Sequence, residues 1–438
     1  MRISSVTIFE TSTASLNRQQ SEFLKVSQQI ASGRRVVNPS DDPQAASRAV
    51  GVDQAQAITE QFKDSRVSAR NSVAQSESIM NSVTDAVISA KRLLVQASSD
   101  TLSDVDRESI ASELKGLYES MIGQANATDG NGRYLFGGYK DNAPPFVKSA
   151  DGTVQYQGDN NVREQRVDAS RLMPVNDNGI TIFKSVPSGA GYLAESGKYS
   201  FDAASNKFER NGFNQGNVTF SGPQIRDVNN EDYGSDFRVN VASDIGGNLT
   251  YQVERFDTGT STWATTDTAS ANLPNGDWAN NINENGSLSL EFGGVAIDLE
   301  GTPEPGDQIL VAQAGSEQRE PDLFRTMEQA IRVLESPADN PAKKADLRNT
   351  LNTSMRDLDN ALDNVLTVRA SAGARLNELD VVDAVGSNRM LNYTQTLSDL
   401  VDLDYADAIS EYSLRQVGMQ AAQKAFVDIK GLSLFNYM

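Results

Sequence analysis

No histidine and no cysteine occurs among the 438 residues. Imidazole bases, thiol nucleophiles, disulfides and the commonest metal ligands are therefore missing. What chemistry the chain could carry rests on glycines and carboxylates. Gly189-Ala190-Gly191-Tyr192-Leu193-Ala194 matches by letter the glycine turn of dinucleotide sites. That turn must follow a buried strand and open a helix. Here Pro187 precedes it, and Gly197-Lys198-Tyr199-Ser200 after it reads as turn and strand, so we assign no cofactor. Asp227-Val228-Asn229-Asn230-Glu231-Asp232 has the look of a calcium loop. The loop needs glycine at its sixth position and a bidentate glutamate at its twelfth; these are Asp232 and Arg238. A solvated acidic turn is the better reading, and no metal site is assigned. The many other carboxylates would permit a glycosidase pair, but nothing singles out two of them. An enzyme is not expected.

The charge balance excludes another class. Net charge is −20, leaving no basic excess to neutralise phosphates, so nucleic acid is not expected as a partner. Residues 1–140 hold 15 Lys+Arg against 16 Asp+Glu, residues 141–315 hold 11 against 24, and residues 316–438 hold 13 against 19. The negative field thus belongs mainly to the middle segment, and the near-neutral first third suits packing. No apolar run reaches the roughly 18 residues needed to span a bilayer. The first thirty residues lack a basic segment followed by an apolar one, so export by a cleaved signal peptide is not expected. Freedom from cysteine fits a protein that passes from a reducing to an oxidising space.

Helical periodicity dominates both ends. Phe9, Leu16, Phe23 and Ile30 recur every seven residues. Tyr405, Ala408, Tyr412, Arg415, Met419, Ala422, Phe426 and Ile429 step by three and four. Each set forms a narrow stripe of the coiled-coil kind. End helices fray unless docked, so we take Phe9, Leu16, Phe23 and Ile30 to face Ile409, Tyr412, Met419 and Phe426, within one chain or between neighbours. Arg415 either reaches a carboxylate or marks the edge of the seam. The first helix is expected from about Thr11 to Ser32. Gly33 supplies the left-handed stop. A turn through Pro39, Ser40, Asp41 and Asp42 restarts the chain, with a carboxylate cap and Pro43 at the first helical position.

A second helical tract is expected from about Pro43 to Asn126, broken near Ser98–Asp104. Tyr134-Leu135-Phe136 reads as a short strand. From about 141 to 315 short alternating runs such as Phe237–Val241 and Leu288–Phe292 lie between turn residues, the pattern of antiparallel β structure. Two β subdomains are expected, divided near residues 184–198. Helix returns at about Pro321, breaks at a linker over Ser336–Pro341, and resumes as a long amphipathic helix through Leu347, Leu351, Leu358, Leu362, Val365, Ala372, Leu376 and Leu379 before the C-terminal stripe. The fold class is α+β and multidomain: a long antiparallel helical bundle from both chain ends with inserted antiparallel β domains. Residues 1–140 supply the N-terminal half, with a terminal helix over about 1–35 and core helices over 43–126. Residues 141–315 form the acidic insertion. Residues 316–438 supply the other half, ending in a helix over about 405–435.

Ala31-Ser32-Gly33-Arg34-Arg35-Val36 followed by Pro39-Ser40-Asp41-Asp42-Pro43 resembles the N-terminal signature of the bacterial flagellin family. The Asp-Asp-Pro form, and Gly132-Arg133-Tyr134-Leu135-Phe136-Gly137-Gly138 with Pro145-Phe146, resemble the family's hook-associated, hook–filament junction branch (the FlgL type). Asp404-Tyr405-Ala406-Asp407-Ala408-Ile409 is similar to the family's C-terminal signature, and Gly301–Asp307 to a turn in hook-associated β domains. The resemblance implies a secreted structural part of the bacterial flagellum, exported by the type III route and held beforehand by a cytoplasmic chaperone on the C-terminal helix. It implies a ring of this chain between a proximal hook-associated protein and flagellin. Filament-forming flagellin, and a secreted glycan-binding or adhesive protein working through the β region, are the competing readings.

Overall fold

Most of the chain's apolar residues sit at helical spacing, and the helices follow that spacing. A computed structural model describes residues 5–149, 152–187 and 189–431. The first helices are α1 (Ser5–Ser32), α2 (Pro43–Ala97) and α3 (Asp104–Ala125). Helix α1 begins before Thr11, because no residue there breaks the pattern. Helix α3 opens on a reciprocal cap: Ser103 Oγ accepts from Asp106 N, and Asp106 accepts from Ser103 N at 3.1 Å. This box ends the six-residue break after α2.

The expected strand at Tyr134–Phe136 does not form. Positive φ at Gly132 (79°) and Gly138 (69°) curls the segment into turns, which only glycine accepts without strain. Leu135 and Phe136 are instead buried as core residues.

Strands then follow one another. Two hairpins come first, β1 (Phe146–Lys148) with β2 (Val154–Tyr156), and β3 (Glu164–Asp168) with β4 (Arg171–Pro174). A one-turn helix, α4 (Gly179–Phe183), closes this part. Next come β5 (Tyr192–Ser196), β6 (Lys198–Asp202), β7 (Lys207–Gly212), β8 (Thr219–Phe220), β9 (Gln224–Ile225) and β10 (Phe237–Ser243). They are followed by β11 (Leu249–Asp257), β12 (Thr262–Ala264), β13 (Asn275–Asp277), β14 (Ser287–Phe292), β15 (Val295–Glu300) and β16 (Gln308–Gln313). Helices return as α5 (Leu323–Glu335), α6 (Pro341–Val401) and α7 (Tyr405–Gly431).

The described chain divides into two units, with α2 and α6 contributing to both. One unit holds residues 68–165 and 172–378. Its helical core joins Met80, Val87 and Leu94 of α2 to Leu114 and Met121 of α3, Phe324 and Met327 of α5, and Leu358 and Val365 of α6. Phe146 and Phe183 enter the helical core, with Phe183 stacked on Phe324 at 5.5 Å. The later strands form a sandwich. One sheet runs β12-β11-β10-β16-β5, with β13 also on β11, and the other runs β14-β15-β8, with β9 also on β15. All the pairings are antiparallel. Period-two alternation places Phe237, Val239 and Val241 against Leu290, Phe292 and Ile297 between the sheets.

A buried ion cluster ties the sandwich to the helices of this unit. Arg319 is 2% exposed. It donates to Glu195 of β5 at 2.6 Å and forks onto Asp357 of α6. Tyr199 donates to the second oxygen of Glu195 at 2.8 Å. Burial alone would raise the Glu195 carboxyl, but Arg319 and Arg325 outweigh it and hold it down at about 2. Asp236 is the opposite case. Burial pushes it up to about 6, although Ser316 and the Gln313 amide donate to it.

Arg319→Met is expected to strand both carboxylates and cost this unit about 3–5 kcal/mol, read by urea unfolding followed at the sandwich tryptophans. For Asp236 the folded state binds its proton more tightly than the unfolded state, whose value is near 3.8. Stability should therefore rise as pH falls from 7 to 5, by about 1 kcal/mol. Asp236→Asn should flatten that rise in the same titration.

Candidate assembly interface

The other unit holds residues 1–67, 166–171 and 379–438, and it contains the residues expected to carry assembly. Helices α1 and α7 lie antiparallel. The Phe23 and Tyr412 rings are 4.9 Å apart. Glu22 pairs with Arg415. A Cβ on Gly418 would stand 3.1 Å from the Gln19 carboxamide. Leu16, Phe23, Ile30, Tyr412, Met419 and Phe426 are half-buried, while Val26 and Ala408 are buried. Arg415 thus reaches a carboxylate.

Two stripe residues depart from expectation. Ile409 is 54% exposed, because Ala408 takes the inward position on that turn. Tyr405 keeps its ring outside and brings only its hydroxyl toward Gly33. The side chains of Phe9 and Ile429 lie outside the described residues.

At the base of the helix pair, two chain reversals bind each other. The α1–α2 turn begins at Gly33, φ +70°, where a Cβ would meet the Tyr405 hydroxyl at 3.0 Å. Gly33 O accepts from Leu403 N at 3.0 Å, and Arg35 N donates to Val401 O at 2.7 Å. Arg34 and Asp402 form the bridge between these bonds. The Arg35 guanidinium donates to Leu400 O at 2.6 Å and pairs with Asp42 at 3.3 Å. Gln29 closes the ring of contacts, donating to Arg35 O at 2.6 Å.

The Asp-Asp-Pro motif builds the restart. Asp41 accepts from Asn38 N at 2.9 Å and pairs with Lys25 at 3.0 Å. Asp42 accepts from Ala45 N at 3.0 Å, capping α2 as Pro43 enters it. These donors hold both carboxyls below their ordinary range. Pro39 and Ser40 occupy the turn between. Asp404 caps α7 in the same way, accepting from Ala406 N at 2.9 Å.

A second clamp lies further along α2. Buried Arg66 pairs with Asp383 of α6 and donates to Val167 O at the β3–β4 tip, 3.1 Å away. Arg389 of α6 pairs with Asp168 of the same tip at 3.0 Å.

Sequence reasoning missed two features. One is the mutual bonding of the two turns, for which no local motif exists because the partners lie far apart in the chain. The other is a second apolar line on α7: Leu414, Val417, Ala421 and Ala425 are all exposed on one side. Its three–four spacing was there to be read.

The metal-like and cofactor-like segments are absorbed by turns. Asp232 accepts from Thr268 N at 3.0 Å and faces Arg255 at 3.4 Å. Tyr192 opens strand β5, and another strand follows it rather than a helix. Among the described residues no helix is long and apolar enough to cross a membrane.

Comparison with known proteins fits this arrangement. The profile of the bacterial flagellin N-terminal helical region matches residues 3–141. Flagellar hook-associated protein 3 of Salmonella typhimurium is 30% identical over 99% of both chains. Its Escherichia coli counterpart is 31% identical over the same share. Among solved structures, FlgL of Xanthomonas campestris superposes with a TM-score of 0.62 at 26% identity, covering 79% of this chain and 99% of that one. The flagellar junction protein FlgL of Legionella pneumophila shares the fold, with a TM-score of 0.61 at 24% identity over 81% of this chain and 100% of that one.

Gly33→Ala is expected to strain the left-handed turn and press on Tyr405. The loss should be about 1 kcal/mol or more, concentrated at the two reversals. Faster amide exchange at Arg35 and Leu403, with the sandwich amides unchanged, is the expected readout.

Proposed function

The chain belongs to the flagellar hook-associated protein 3 family, and on that footing we propose that it works as the adaptor between hook and filament. In this reading it forms a ring at the hook–filament junction, on the extracellular flagellum. A proximal hook-associated protein lies on one side and flagellin on the other. The terminal helix pair carries assembly. One observation supports this above the rest: within a single chain the pair leaves apolar surface uncovered. Leu24, Ile409, Leu414 and Val417 are each more than half exposed, on helices whose inner stripe is already occupied. Apolar area buried against neighbours yields about 25 cal/mol per Å2, and contacts of this head-to-tail kind build helical or ring assemblies.

Phe9, Leu16, Phe23, Ile30, Ile409, Tyr412, Met419 and Phe426 are the residues we assign to that role. Ile409 then serves neighbours rather than the seam. Gly33, Pro39, Ser40, Asp41, Asp42 and Pro43 hold the turn from which the pair projects. A cytoplasmic export chaperone holds the C-terminal helix beforehand, and its exposed apolar line on α7 suits such a cover. The acidic segment over 141–315 faces solvent between the two helical halves of the chain. No catalytic step is assigned to any residue.

Leu16→Asp and Phe426→Asp are each expected to leave the sandwich folded, by near-ultraviolet circular dichroism, while abolishing incorporation. Immunogold label on flagella of cells carrying the unaltered chain should sit only at the hook–filament boundary. Label along the whole filament, or normal filaments with either variant as sole copy, would refute the assignment.

A further inference from the structure

Among the described residues, the seam between α1 and α7 carries a charged level at Glu22 and Arg415. There Arg415 pairs with Glu22 across the seam and with Glu411 on its own helix at 3.2 Å. Phe23 and Tyr412 pack on one side of this level, Gln19 and Gly418 on the other. We propose that Glu22 and Arg415 are the specificity-determining pair of the terminal helices, selecting α1 against α7 in one register. The proposal rests on the reading that these helices carry assembly.

The apolar stripes cannot make that choice. Phe9, Leu16, Phe23 and Ile30 repeat every seven residues, so a slide of one heptad keeps apolar against apolar. The charges do not survive the slide. One heptad either way sets Arg415 against Ser15 or Gln29, and Glu22 against Ala408 or Ala422. A half-heptad slide sets Arg415 against Arg18 with Glu22 against Glu411, or Arg415 against Lys25 with Glu22 against Gly418. Pairing two copies of α1 brings two Glu22 carboxylates into one seam, and pairing two copies of α7 brings two Arg415 guanidinia. Of these arrangements, only the observed pairing gives both charges an opposite partner across the seam.

Both side chains are about a third exposed, and such pairs add little net stability. The selection comes from the penalty in the wrong pairings, where a charge loses its partner or meets its like. The turn at Gly33 fixes where the seam starts within one chain. It does not choose between copies, and the ion pair lies about three turns further along both helices.

A chain without cysteine makes the test clean. Gln19→Cys with Gly418→Cys in the full-length protein, bridged by a short bis-maleimide, reports the observed register as an intrachain link. Arg415→Glu or Glu22→Arg should lower that link about fivefold. The exchange Glu22→Arg with Arg415→Glu should restore it to within about twofold of the parent. A pair that only fills space would not recover on exchange. The proposal is overturned if either single reversal stays within about twofold of the parent, if the exchange remains as low as the singles, or if the parent itself does not link. Incorporation into flagella is not read here, so a negative result leaves the junction assignment standing. Failed incorporation of Leu16→Asp, in turn, says nothing about the link.

Discussion

The mutual bonding of two chain reversals is the constraint on which the terminal unit depends. A helix that stops leaves its last carbonyls without partners, and a helix that starts leaves its first amides free. Helix α1 ends at Ser32 and α6 ends at Val401. Gly33 O is satisfied by Leu403 N, and Leu400 O and Val401 O are satisfied by Arg35. Each ending therefore supplies the cap that the other lacks. Asp42 and Asp404 perform the local half of the work by capping the helices that follow. The result joins Arg35 to Leu400, 365 positions apart, without a large core.

The insertion solves a different problem, that of attaching a sandwich to helices without leaving sheet edges open. The edge strand β5 is fully buried. Thr353 of α6 donates to Ala194 O at 2.5 Å, and Arg319 binds Glu195 beside it. A covered edge cannot recruit foreign strands. The acidity of this segment also has a structural source. Asp202, Asp244 and Asp257 each accept backbone amides within their own turns; the Ser205 hydroxyl at Asp202, the Asn248 side chain at Asp244 and the Gly259 amide at Asp257, with the other turn donors, hold the carboxyls low and charged. A fold with many short strands needs many such turns, so turn chemistry accounts for part of the negative charge that composition registers as a solvated surface.

Much of this is legible in the sequence. Helix spacing located α1, α2, α3, α5, α6 and α7, because apolar residues at three–four intervals and local caps act over a single turn. Gly33, Asp42 and Pro43 announced the first reversal for the same reason. Strands such as Phe237–Ser243 and Ser287–Phe292 followed from alternation. The failures share one cause, which is dependence on distant partners. Tyr134–Phe136 looked like a strand, but its flanking glycines curl it so that Leu135 and Phe136 can reach the helical core. Arg35, Arg66 and Arg319 carry no local signal of their roles, because their acceptors at Leu400, Asp383 and Asp357 lie outside their own stretch of sequence. Ile409 was expected to face α1, yet it lies beside the three–four stripe, whose member on that turn, Ala408, takes the inner place.

The contrast between the two units explains why polar contacts carry so much of the terminal one. Around α3, α5 and α6, residues such as Leu114, Phe324 and Leu358 are almost completely buried, and burial of that kind yields a few kcal/mol per side chain. Along α1 and α7 the described apolar residues are half-buried or exposed, with Val26 and Ala408 alone buried among them, so the same accounting gives much less for each. A two-helix seam has no third element to complete its core, and an isolated helix of this length is marginal in water. Specific hydrogen bonds and a charge pair can fix geometry where burial is incomplete, although they add little stability alone. In the proposed assembly, a neighbour that covers the exposed face of α7 would supply the burial that one copy lacks, which would make the order of these helices sensitive to neighbours in a way that the sandwich is not.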